Sequence, residues 1–257
     1  MFSEKGLTLK TGFINVQGRE IYYAVAGNDS LPTLYFIHGS PGTWSAFIDY
    51  MYDSEMLSHY RMVGLDRPGF GYSTAAGALH LEEQSQIMLH MVTRLSKGKP
   101  VYIAGHSLGA PLALKMAAKG QNQVAGIALI SASLDPSLEP KESWRSILNT
   151  IPFRFLLPGA FRPSNDELIY FKSDVVKLAE DFNNITCKVM LIHGEQDKWV
   201  PVANVDYAVK NLRKATAIEK IIIPGANHFI PFTEKEEIKT GLVKMLASDS
   251  DEPEHKR

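Results

Sequence analysis

The chain has 257 residues, a formal net charge of -1 and a single cysteine. Its 45% hydrophobic and 21% charged residues are ordinary globular usage, which excludes a disordered, collagen-like or disulfide-stapled chain. Near-zero charge offers no electrostatic footprint for nucleic acid or for an anionic membrane, and no apolar run approaches the ~18 residues of a membrane span.

The first signals are extended. Gly12 to Val16 and Ile21 to Ala26 read as a β-hairpin turning at Gln17-Gly18. Thr33 to His38 (TLYFIH) is a near-continuous apolar run, the pattern of a strand buried on both faces of a parallel sheet. It ends in His38-Gly39-Ser40-Pro41-Gly42. The pattern returns at Arg61 to Asp66, Val101 to Gly105, Val124 to Ser131, Lys188 to His193 and Ile218 to Ile223. Helical spacing fills the gaps at Leu81 to Leu95, Leu108 to Lys119, Val202 to Leu212 and Glu234 to Leu246. Strand–helix alternation predicts an α/β fold: a doubly wound, mostly parallel eight-stranded sheet.

Residues 135–184 break the rhythm, with five prolines and no convincing strand. They are expected to form a small helical cap, or lid, inserted into a core of residues 1–134 and 185–247. Residues 248–257 read as a flexible tail. Met1 to Lys10 lacks the apolar stretch of a signal peptide. Together with the lone Cys187, this predicts a cytoplasmic protein.

The sharpest motif is Gly105-His106-Ser107-Leu108-Gly109, which follows an apolar strand and opens an Ala-rich helix. That context fits a strained strand-to-helix turn that exposes a serine Oγ as nucleophile. Serine needs a base, and the base needs an orienting acid. His228 lies in a loop between the last predicted strand and the last helix and is the candidate base. Asp197, just past the KVMLIH strand, is the candidate acid, with Asp135 as the alternative. The oxyanion hole needs two N–H donors, and Leu108 and Ser40 are the candidates; Pro41 has no N–H. His38 and His106 read as packing and hydrogen-bonding residues, and Asp66 and Arg67 as structural. Trp199, Phe229 and Trp144 are the aromatic candidates for the substrate-binding wall. No metal site or cofactor is called for.

These motifs resemble the α/β-hydrolase superfamily, in the branch of esterases, epoxide and haloalkane hydrolases, C–C bond hydrolases and proline iminopeptidases. The resemblance rests on His38-Gly39-Ser40-Pro41, Asp66-Arg67-Pro68-Gly69-Phe70-Gly71-Tyr72-Ser73, Gly105-His106-Ser107-Leu108-Gly109 and the Asp197 and His228 loops. It implies that Ser40 donates to the oxyanion and that the Ser40-Pro41 peptide is cis. A serine at the elbow, where dehalogenases and epoxide hydrolases of this fold carry aspartate, implies acyl chemistry. The expectation is a serine hydrolase that cleaves a small or medium, mostly uncharged ester through an acyl-enzyme. The alternatives are a proline iminopeptidase-like enzyme, a C–C bond hydrolase, and a non-catalytic ligand-binding protein on the same fold. The expected partner is a small-molecule substrate, and the sequence does not indicate an oligomeric state.

Overall fold

The computed structural model describes residues 8–74, 79–121, 123–140 and 142–247. The predicted tail at 248–257 and the first seven residues of the N-terminal stretch lie outside the described residues.

The hairpin forms from β1 (Lys10–Val16) and β2 (Arg19–Ala26), paired antiparallel with Ile14 opposite Ile21. The remaining strands are β3 (Thr33–Ile37), β4 (Arg61–Leu65), β5 (Val101–His106), β6 (Val124–Ile130), β7 (Lys188–Gly194) and β8 (Ala217–Ile223). Among the described residues the eight strands form one sheet in the order β1-β2-β4-β3-β5-β6-β7-β8. From β4 to β8 every pairing is parallel. Every residue of β3, β4 and the first turn-free stretch of β5 is buried, as strands covered on both faces require.

Alternation along β3 assigns its side chains to two cores. Tyr35 and Ile37 face the layer of α3 (Leu81–Leu95), α4 (Gly109–Lys119) and α8 (Ala203–Asn211). Leu34 and Phe36 face the opposite layer, with Tyr50, Met51, Ile238 and Leu242. That second layer includes α1 (Ile48–Met51), α2 (Ser54–His59), α9 (Ile230–Thr233) and α10 (Lys235–Ala247). The sequence reading missed α1 and α2, because helices of four and six residues are too short to show a period. The Asp53 carboxylate starts α2 by accepting from the N–H groups of Glu55 and Met56.

Between β6 and β7 the chain is helical: α5 (Trp144–Leu148), α6 (Phe153–Leu156) and the long α7 (Phe161–Leu178). Pro163 falls in the first turn of α7, where its missing N–H has no intrahelical partner to lose. Phe171, Val175 and Leu178 bury the inner face of α7 in the core that holds α4.

The direction in which strands are added to the sheet reverses at β3: β4 lies on one side of it, and β5 on the other. In open α/β sheets the crevice at such a reversal, beyond the C-terminal strand ends, is where ligands bind. The Gly39-Ser40 loop and Ser107 leave those two strand ends.

Candidate active site

Ser107 sits between β5 and α4 with φ +53, a left-handed conformation that costs energy in a residue with a Cβ. The turn is tight because two backbones almost touch. A Cβ on Gly105 would lie 2.2 Å from the Gly109 carbonyl oxygen, and one on Gly109 would lie 2.3 Å from that of Ile37. The Ser107 N–H is anchored to the Ile130 carbonyl of β6 at 2.9 Å.

The elbow aims Ser107 Oγ at His228, whose Nε2 is 3.0 Å away. His228 Nδ1 is 2.7 Å from Asp197 Oδ2. A carboxylate only accepts, so Nδ1 carries the ring proton and Nε2 is free to accept from the serine hydroxyl. The two loops that supply these residues are stitched together. Gln196 N–H donates to the Ala226 carbonyl at 2.8 Å, and Gly225 N–H donates to the Glu195 carboxylate at 3.0 Å.

Asp197 is buried, and burial alone would raise its pKa. Hydrogen bonds from His193, His228 and the Val200 N–H outweigh that and hold the carboxyl well below the usual carboxylate range. Its Oδ1 accepts from the N–H groups of Trp199 and Val200, which fixes the carboxylate plane. Asp135, the alternative acid, instead turns its carboxylate to the Ser137 N–H at 2.8 Å, within its own loop.

Three further histidines surround this line. His106 Nε2 donates to the His228 carbonyl at 3.1 Å and braces that loop. Burial, reinforced by the neighbouring His228, pushes the His106 imidazole down to about 3. His38 is fully buried; its Nδ1 donates to the Gly39 carbonyl and its Nε2 accepts from the Arg67 N–H. Burial and the adjacent Arg67 guanidinium hold its pKa well below the ordinary imidazole value. His193 Nε2 lies 2.8 Å from the Val200 carbonyl and 3.5 Å from Asp197 Oδ2. The sequence reading passed over His193 as a strand-end residue; a loop contact four positions away leaves no periodic trace.

The Ser40-Pro41 peptide is cis. Gly39 packs against the elbow, where an added Cβ would lie 3.1 Å from Ser107 Cβ. The N–H groups of Ser40 and Leu108 donate to no other described residue, so both remain free to donate to a ligand. Ser40 Oγ donates to Ser164 Oγ on α7 at 2.8 Å.

A cavity of about 480 Å³ opens over Ser107, lined by residues that include Ser40, Leu108, Ser133, Glu139, Leu168 and Trp199. Trp199 stacks at a tilt on the His228 ring, 5.4 Å between centroids. The other two aromatic candidates are placed differently. Phe229 packs edge-on against Trp199 from outside the cavity, because the backbone turns at His228 and sends the next side chain away. Trp144 points outward from α5, and its neighbour Arg145 takes the cavity side. The lining also carries charge that the sequence reading did not assign. Arg145 pairs with Glu142 at 2.5 Å, and Glu139 is hydrogen-bonded to Ser133. Glu167 of α7 is buried against Arg67.

No cluster of three or more potential metal ligands occurs among the described residues. No described helix is long and apolar enough to cross a membrane. Cys187 is buried, which pushes its thiol up to about 11 and leaves it unreactive.

A family model described as alpha/beta hydrolase fold matches residues 32–158. The chain is 25% identical over 244 residues to a pimeloyl-[acyl-carrier protein] methyl ester esterase of Nitrosospira multiformis, covering 78% of this chain and 89% of that protein. It is 30% identical over 262 residues to the dihydrolipoyllysine-residue acetyltransferase component of the acetoin cleaving system of Pseudomonas putida, covering 90% and 68%. Against other curated relatives the match spans about half their length. It covers 46% of the Yersinia enterocolitica methyl ester esterase and 47% of the Bos taurus lysophosphatidylserine lipase, at 26% and 28% identity. Among solved structures, the enol-lactonase of Burkholderia xenovorans superposes with a TM-score of 0.75 at 16% identity, over 92% of this chain and 100% of that one. That likeness is one of fold.

Proposed function

The chain belongs to the α/β-hydrolase superfamily, and from that premise we propose that it is a serine hydrolase of carboxylic esters. One observation carries the reading. The hydrogen-bonded line Ser107–His228–Asp197, at 3.0 and 2.7 Å, runs from a strained elbow to a carboxylate held in its charged form. The ester names of the relatives from Nitrosospira and Yersinia support the substrate class.

The chemistry follows from the geometry. His228 Nε2 accepts the hydroxyl proton as Ser107 Oγ attacks the carbonyl carbon. Asp197 keeps the proton on Nδ1 and offsets the positive charge that forms on the ring. The N–H groups of Ser40 and Leu108 donate to the tetrahedral oxyanion. His228 then protonates the departing alcohol, and water reverses the sequence to release the acid. Residues 135–184 act as a cap over this site, and the reaction uses no metal or organic cofactor.

The cavity favours an uncharged ester over a substrate with a free amino terminus. Recognising an ammonium group takes a free carboxylate. Glu142 is already paired with Arg145, and Glu139 is already engaged by the Ser133 hydroxyl. A small, mostly uncharged acyl or alcohol group suits the space next to Leu168, Phe171 and Trp199.

The test is a fluorophosphonate label followed by a substrate panel. Labelling at Ser107 with steady turnover of p-nitrophenyl esters, and little of amino-acid arylamides, is the expected result. Labelling without turnover of any ester, while ligands raise Tm, would assign the fold to a binding protein instead.

A further inference from the structure

We infer that the outer surface of the segment between β6 and β7 is a docking face for an anionic phospholipid bilayer. Large apolar side chains exposed to water are few on a soluble domain, and when clustered they mark an interaction surface. Of the sixteen exposed large apolar side chains among the described residues, seven fall within residues 144–161. Ile151 is 78% exposed, Leu156 75%, Phe155 66% and Ile147 59%. These are not residues waiting for the core: α7 already supplies Phe171, Val175 and Leu178 to it.

The charge of this segment selects the partner. From Ser143 to Asn165 the sequence holds three arginines and no lysine, aspartate or glutamate, within a chain of net charge -1, although Arg145 is paired with Glu142, which immediately precedes this stretch. Arg162 donates to the carbonyl oxygens of Leu157 and Phe155, and its guanidinium lies 5.9 Å from the Phe155 ring. No carboxylate among the described residues pairs with it, so its charge remains at the apolar rim. Trp, Phe and Leu side chains beside arginine are the composition of surfaces that lie in the interface of an anionic membrane. A second protein copy would meet the same positive charge, and a neutral apolar partner would leave it unanswered. The face adjoins the Ser107 cavity, since Arg145 and Phe161 line it. A bilayer seated here would therefore present apolar esters at the mouth of the site.

Flotation of the full chain with vesicles tests this without any turnover. The chain is expected to float with mixed phosphatidylcholine and phosphatidylglycerol vesicles, far less with phosphatidylcholine alone, and to be released by salt. The triple variant Ile151→Ser, Phe155→Ser and Leu156→Ser, altered only at exposed positions outside the cavity, is expected to lose about a hundredfold in partitioning with its Tm unchanged. A Phe155→Trp variant provides a second readout, an emission blue-shift on adding the mixed vesicles. No flotation of the wild type, equal flotation with neutral vesicles, or equal flotation of the triple variant would each overturn the inference. So would a wild-type dimer that the triple variant dissolves while neither floats. Because Ser107→Ala is expected to float like the wild type, failure of the esterase reading and failure of this one are separable.

Discussion

The Arg67 guanidinium grips the Glu167 carboxylate through two hydrogen bonds, 2.7 Å from Nη1 and 2.9 Å from Nη2, although the residues are 100 positions apart. Both side chains are buried. The same guanidinium donates to the His38 and Gly39 carbonyls, immediately before Ser40. One ion pair thus ties α7 to the loop that presents the proposed oxyanion donor. Glu167→Gln leaves Arg67 buried with a weakened partner, so it is expected to cost about 3–5 kcal/mol in urea unfolding. If the loop shifts as a result, kcat falls by about tenfold or more with a smaller change in KM. Unchanged stability would mean that water or Gln84 replaces the carboxylate.

Ser107→Ala is expected to lower kcat by about ten-thousandfold or more while leaving Tm near that of the wild type. Steady-state kinetics on a short-chain ester, read beside a thermal melt, measures both.

The two aspartates are separable by the same assay. Asp197→Asn removes the group that fixes the His228 tautomer and is expected to cost about ten-thousandfold in kcat. Asp135→Asn should leave kcat within a few-fold of wild type, because its carboxylate caps a neighbouring N–H and does not face His228.

Acid should destabilise the fold through two histidines that are held neutral. The pKa values of His38 and His106 are lowered by burial. The unfolded chain therefore binds protons below about pH 6.5 that the folded chain refuses. Their contribution is fully present above that pH and is lost as the pH falls toward the folded values. Between pH 7 and pH 5 His106 is expected to remove about 2 kcal/mol of unfolding free energy, and His38 acts in the same direction. Urea midpoints at the two pH values check this, and His106→Gln should make the dependence shallower.

Gly109→Ala is expected to be far worse than an ordinary surface change. Its Cβ would meet the rigid Ile37 carbonyl at 2.3 Å, which no side-chain rotation relieves. Loss of soluble protein, or of about 3 kcal/mol or more in unfolding, is the expected outcome.

Much of this was legible in the linear chain, for a physical reason. Strands buried on both faces must be continuously apolar, and amphipathic helices must repeat, so β3 to β8, α3, α4, α8 and α10 announced themselves. A serine elbow needs small neighbours wherever it occurs, so Gly105 and Gly109 marked Ser107 without coordinates. The chain order of Ser107, Asp197 and His228, each after a strand, made them candidates for one site. What packs against them followed no such rule. His193 beside Asp197, Glu167 beneath the Ser40 loop, Arg145 in the cavity in place of Trp144, and Phe229 turned away from it depend on side-chain direction and on contacts between residues far apart in sequence. Periodicity reports which face of an element is buried. Only the assembled sheet and its helices decide which buried groups meet.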